Sequence, residues 1–202
     1  RLIIADGHHR YETALNYRNE RRAAAASANP GGEDAPWERV MMTFVNMVGE
    51  GLVILPTHRV VFGLPNFSVE GFLRSARNYF EEHQLEDELA PARAISEVKE
   101  AGKKGTALLA TTREGNFLLT ARPGAADQVL AGVSPRQRQL DIVQLHRLLL
   151  EGVLGISEEA IRSQQHITYL RDASEALQRV RDGANIAFLM NPVRIEQVRD
   201  IA

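Results

Sequence analysis

Asp6-Gly7-His8-His9-Arg10 gathers a carboxylate, a glycine, two imidazoles and a guanidinium in five consecutive residues. These types in this order can bind an anion. Arg10 can hold phosphate oxygens through two N–H bonds at once. The imidazoles of His8 and His9 add donors, and Gly7 lets a ligand come close to the backbone. Asp6 can hold a metal ion, orient a histidine or take a proton from a hydroxyl. The competing reading is a turn and helix cap, to which Asp-Gly is equally suited. His8 and Glu12 are four apart and could share an ion, but no second helical histidine completes a metal-binding His-Glu-x-x-His spacing. The lysine and second glycine of a P-loop are also missing.

A second cluster, Pro56-Thr57-His58-Arg59, directly follows an apolar run. His58 and Arg59 there either face a cleft or sit in a solvated turn. Asn46 lies inside an apolar segment, where a buried amide needs partners. His146 is expected to border the core, and His83 and His166 carry no partner pattern. Arg136 and Arg138 read as a solvated basic loop, and Trp37 as an anchor for the loop before it.

The elements that must position these residues follow from periodicity and turn chemistry. Leu2 to Ala5 reads as a buried strand, and His8 to Ala26 as a helix burying Tyr11, Ala14 and Leu15. The first cluster then sits at a strand-to-helix junction, where unpaired N–H groups and the helix dipole favour negative charge. Residues 27–36 read as a mobile loop. Val40 to Val48 reads as a buried strand. Leu52 to Leu55, extended by Val60 to Phe62, gives a second strand in hairpin with it.

Ser68 caps a helix running to about Glu82. Pro91 to Ala101 reads as a helix, and 106–111 with 117–121 as a hairpin. Leu140 to Leu154 is an amphipathic helix ended by Gly155. Strands at 167–170 and 186–190 flank a helix at 174–181 as a βαβ unit with parallel strands. A last helix begins at Arg194. The class is α+β, a mixed α/β chain, divided into regions 1–66 and 67–202.

Composition narrows the chemistry. The 202 residues include no cysteine, which excludes disulfides, thiol catalysis, zinc ribbons and iron–sulfur clusters. Twenty-four basic against 26 acidic residues leave a net charge of −2, so nucleic acid is not an expected partner. No apolar run approaches the ~18–20 residues that span a bilayer, so no membrane is expected and the cytoplasm is the default location. The chain opens on Arg1 and an immediate apolar run, and reads as a fragment of a longer one.

The segment Ile4 to Leu15 (IADGHHRYETAL) resembles the signature of a prokaryotic domain-of-unknown-function family, number ten-fifteen. Asn46-Met47 before Leu52 to Arg59, the stretch Leu145 to Ile156 and the stretch Ala187 to Val198 agree in the same order. Members of that family are about twice this long, so the chain looks like a middle-to-C-terminal part. The Asp6–Arg10 core is also similar to the phosphate-binding segment of the ParB/sulfiredoxin superfamily, which includes free serine kinases and nucleotide-gated switches. That resemblance implies a ParB/sulfiredoxin-like N-terminal part, with Gly7, His8, His9 and Arg10 on nucleotide phosphates. His8 replaces the sulfiredoxin cysteine, which disfavours sulfinic-acid repair.

The expected function is therefore nucleotide-dependent phosphoryl transfer, kinase-like, to a small hydroxyl substrate such as serine. Mg²⁺ and ATP or ADP are the expected cofactors. Asp6 and His8 are the catalytic candidates. Gly7, His8, His9 and Arg10 would hold phosphate, with His58 and Arg59 as further contacts. The alternatives are a non-enzymatic nucleotide-gated module and an inactive scaffold. Oligomeric state stays open, a homodimer included.

Overall fold

The computed structural model describes residues 2–25, 35–47, 49 and 51–201. Contacts divide the chain into two compact units, Arg1–Leu52 and Val53–Ile201. The class is mixed α+β, as the sequence implies.

The first unit is built on α1 (His8–Ala25). A short 3-10 turn, Pro36–Glu38, is tied to it. Arg22 donates two hydrogen bonds to the Glu38 carboxylate at 2.8 and 2.5 Å, and the Arg21 guanidinium lies 4.8 Å from the Trp37 ring centre. Trp37 thus anchors its segment on α1. The strands expected at 2–5 and 40–48 are absent among the described residues of both stretches. Leu2, Ile4, Phe44 and Val45 are exposed, and Met41 is 96% exposed. High β-propensity is not enough where no neighbouring strand supplies ladder hydrogen bonds. On α1, Ala14 and Leu15 are half-buried while Tyr11 is exposed, so the expected buried face is narrower. Most of the stretch read as a mobile loop, residues 27–34, and the end of the helix at Ala26 lie outside the described residues.

The second unit is a six-stranded sheet in the order β2-β4-β3-β6-β1-β5, with every pair antiparallel. The strands are β1 (His58–Val61), β2 (Phe80–Gln84), β3 (Ala107–Thr112), β4 (Gly115–Ala121), β5 (Ile167–Leu170) and β6 (Ile186–Met190). Side chains alternate across it. Leu108, Ala110, Ile186, Phe188 and Met190 face a core shared with α2 (Val69–Ala76) and the helix at 145–153. Leu109, Ala187, Leu189 and Val60 face the other core, with α3 (Pro91–Ala101) and α7 (Ala173–Arg181). Both faces are covered, which is why β3 and β6 read as continuous apolar runs.

Several expectations hold. Ser68 accepts from the Gly71 N–H at the start of α2, and Pro91 opens α3. Arg113-Glu114 joins β3 to β4. Others change. α2 ends at Ala76 and the chain re-enters the sheet at Phe80, because Phe80 is buried as a strand residue rather than as a fourth helical turn. Leu52 to Leu55 is not a strand, so the expected hairpin is absent. The helix expected at 140–154 begins as α5 (Asp141–Gln144) and widens into a π-helical segment, Leu145–Val153. The βαβ unit has β5 and β6 in one sheet and pointing the same way, but β1 lies between them and pairs with both. It is a split unit. Short helices α4 (Pro135–Arg138) and α6 (Glu158–Arg162) and the final α8 (Ile195–Ile201) complete the fold.

Candidate functional site

In the first unit, Gly7 stands just before α1 with φ +81°, a conformation that favours glycine. Its carbonyl accepts the first helical hydrogen bond, from Tyr11 N at 3.0 Å. The N–H groups of the first turn have no acceptor within the helix. That turn carries no acidic residue. Asp6 Oδ1 accepts from Gly7 N at 2.7 Å, and Asp6 Oδ2 lies 3.7 Å from Arg10 Nη2. A Cβ on Gly7 would stand 2.9 Å from Arg10 Nη2, the free end of an exposed side chain that folds back over the turn, so it is the positive φ that calls for glycine here. The His8 and His9 rings are 4.2 Å apart, and His9 Nδ1 is 3.5 Å from Glu12. Asp6, Gly7, His8, His9 and Arg10 are thus brought together around one helix start.

His58 and Arg59 belong to the second unit, on β1. Neither residue lies in a solvated turn: His58 is buried within the strand, and Arg59 alone of the two lines a cleft. His58 is 1% exposed, and its Nδ1 accepts from Met190 N at 3.2 Å. Burial, and then the neighbouring Arg59 charge, pushes His58 down to about 4, against a smaller pull from Asp172. Arg59 donates through Nη1 to the Thr57 carbonyl and to Met190 Sδ, and its guanidinium lies 5.3 Å from the Tyr169 ring centre. Its Nε is buried without a hydrogen-bond partner among the described residues. Burial lowers Arg59 to about 10.

Arg59 lines a cleft of about 140 Å³ together with Pro56, Asp141, Ile142, Met190 and Asn191. Asp141, the first residue of α5, is raised to about 6 by burial. The polar side chains of Thr106 and Asn191 and the charge of Arg194 oppose that rise, while the Asn191 amide donates to the Val98 carbonyl at 3.0 Å. His146 on the π-helical segment is lowered to about 4, mainly by burial and then by Arg59 and Arg147. Its Nε2 is buried without a partner among the described residues. Sequence reasoning missed Asp141, because an aspartate opening a helix is the commonest dipole partner there. The usable signal was an acid placed where an amphipathic helix begins and faces the core.

Asn46 is exposed, on a turn closed by Gly49 N to Asn46 O at 3.1 Å, and not within a strand. Arg136 and Arg138 are not merely solvated. Arg136 donates to the Asp200 carbonyl, and Arg138 to those of Val133 and Ala131. Among the described residues, no three of His, Asp and Glu gather where a metal ion could be held, and no helix is long and apolar enough to cross a membrane.

The model of a family described as "Protein of unknown function (DUF1015)" matches residues 1–143. The chain belongs to the DUF1015 family. The matched region of this DUF1015 chain takes in the α1 start, β1 and Asp141, while the stretches 145–156 and 187–198 lie beyond it. No curated protein and no solved structure matches the chain.

Proposed function

We propose that this DUF1015 protein binds the phosphates of a nucleotide at the α1 start and passes a phosphoryl group to a small hydroxyl substrate such as serine. The observation that carries the binding step is Gly7 at φ +81°, with Arg10 folded over a helix start whose first turn holds no acid. Backbone N–H groups, the helix dipole and a guanidinium then converge on one spot. The relationship to the ParB/sulfiredoxin superfamily, implied by Asp6–Arg10, supports the same assignment. Asp6 would repel bare phosphate, so Mg²⁺ is expected to bridge the two, and affinity should depend on it. His8 and His9 supply further donors.

A second reading, binding without transfer, is favoured by the engagement of Asp6. Its carboxylate already holds Gly7 N and faces Arg10. A carboxylate so placed organises the turn rather than removing a hydroxyl proton.

Calorimetric titration with ATP, ADP and CTP, with and without Mg²⁺, tests the binding. Nucleotide should bind wild type and lose about tenfold or more in affinity with Arg10→Ala. No binding to wild type would remove both readings. Phosphorus NMR with serine then separates them, since nucleotide that binds and is never consumed supports the non-enzymatic module.

A further inference from the structure

We propose that the cleft of the second unit, walled by Arg59 and Asp141, binds a small zwitterion of the α-amino-acid kind. Its carboxylate would rest on the guanidinium and its ammonium on the Asp141 carboxylate. The cleft lies wholly within Val53–Ile201 and is distinct from the phosphate-binding residues of α1.

Two charges of opposite sign line this one cleft without pairing with each other. Arg59 has one nitrogen, Nη1, on a carbonyl and a thioether, and its guanidinium against Tyr169. Among the described residues no carboxylate compensates it. The groups that act on it are burial and the Tyr169 side chain, and its Nε has no acceptor among those residues. A half-buried cation left so, with its Nε buried and unpartnered, is unfavourable until an anion arrives. The neighbouring imidazoles of His58 and His146, lowered to about 4, carry no charge near neutral pH, so Arg59 is the charged group on this side of the cleft.

Asp141 supplies the opposite pole. Nearby Thr106 and Asn191, and the charge of Arg194, only partly offset the effect of burial on its carboxyl. Asp141 and Asn191 both line the cleft. Between the poles the walls are apolar: Leu55, Pro56, Ile142 and Met190. A volume of about 140 Å³ is well under the roughly 300–1,000 Å³ of drug-sized pockets. A ligand with two charged ends and a small side chain matches both the charges and the room.

The test is calorimetry on the whole chain with glycine, alanine and serine, against propionate, ethylamine and inorganic phosphate. The amino acids should bind, with propionate and ethylamine each weaker by roughly 10- to 100-fold, because each loses one charge-assisted contact. Asp141→Asn, which keeps the shape, should cost glycine a similar factor and leave propionate unchanged. Circular dichroism melting checks that the variant folds, and should it not fold, the panel on wild type decides. Propionate or phosphate binding as tightly as the amino acids would overturn the proposal, as would absence of binding by all three amino acids. So would an Asp141→Asn variant that folds and binds glycine as wild type does. Nucleotide plays no part in these titrations, so failure at the α1 start and failure here are separate results.

Discussion

At the start of α1, Asp6 and Arg10 meet at 3.7 Å with 94% and 83% of their side chains exposed. On β1, Arg59 lies against Tyr169 with a buried Nε that has no partner among the described residues. Both places carry a guanidinium, but water treats them differently. The exposed pair is screened and contributes little to folding, so its residues are free to serve a ligand. The half-buried cation, with one nitrogen buried and unpartnered, costs stability and is held by the sheet around it. The first unit displays this pair on the surface of a helix, while in the second Arg59 and Asp141 are half-buried beside a sheet whose two faces carry apolar cores.

The sharpest way to break this contrast is to disturb the core of the second unit. Phe188, fully buried on β6, should cost about 3–5 kcal/mol on Phe188→Ala. Urea unfolding measures it, and a loss below about 1 kcal/mol would mean the sheet core is not the centre of stability. Acid comes next. His58 and His146 are lowered to about 4, so between pH 6.5 and 4 the unfolded chain binds their protons and the folded chain does not. Stability is therefore present above pH 6.5 and lost as pH falls. Asp141, raised to about 6, works the other way across the window from 6 down to its ordinary value near 3.8. The two histidines outweigh it, giving a net loss of roughly 2 kcal/mol by about pH 5. Asp141→Asn should steepen the fall, and a flat profile from about pH 7 to 5 would contradict the assigned burial.

Arg59→Met should leave the chain as stable or more so, by about 1 kcal/mol, since an uncompensated half-buried charge is replaced by an apolar side chain. A clear drop in melting temperature would show that its contacts to Thr57, Met190 and Tyr169 outweigh that cost. Ser68→Ala removes the cap of α2 and should cost about 1 kcal/mol. Arg10→Ala, the smallest in stability, should leave the melt within about 0.5 kcal/mol while weakening nucleotide binding by about tenfold or more. A large stability loss there would mean the α1 start is structural.

What the sequence could disclose depended on where partners lie. The α3 helix, the β3–β4 hairpin and the caps at Ser68 and Pro91 are local, and their residues declare them. Leu2 to Ala5 and Val40 to Met47 have the composition of strands, yet a strand exists through a neighbour that composition does not contain. The insertion of β1 between β5 and β6 was invisible for the same reason. At the α1 start, Gly7 and Arg10 were legible because their geometry is set within a few residues. The Arg59–Asp141 cleft was only half legible. Its two charges are 82 positions apart, and what makes them matter is burial by side chains from still further along the chain.

The place of β6 has a consequence for how the molecule comes into being. It pairs with β3 on one side and β1 on the other, so it joins the three strands β2, β4 and β3 to the pair β1 and β5. A growing chain reaches residue 186 last among the strands. Until then β1 waits with one edge unpaired, about 125 residues behind the strand that will fill it. Folding of this unit is therefore a late, long-range event, and a chain cut before Ile186 would expose two open sheet edges to other chains.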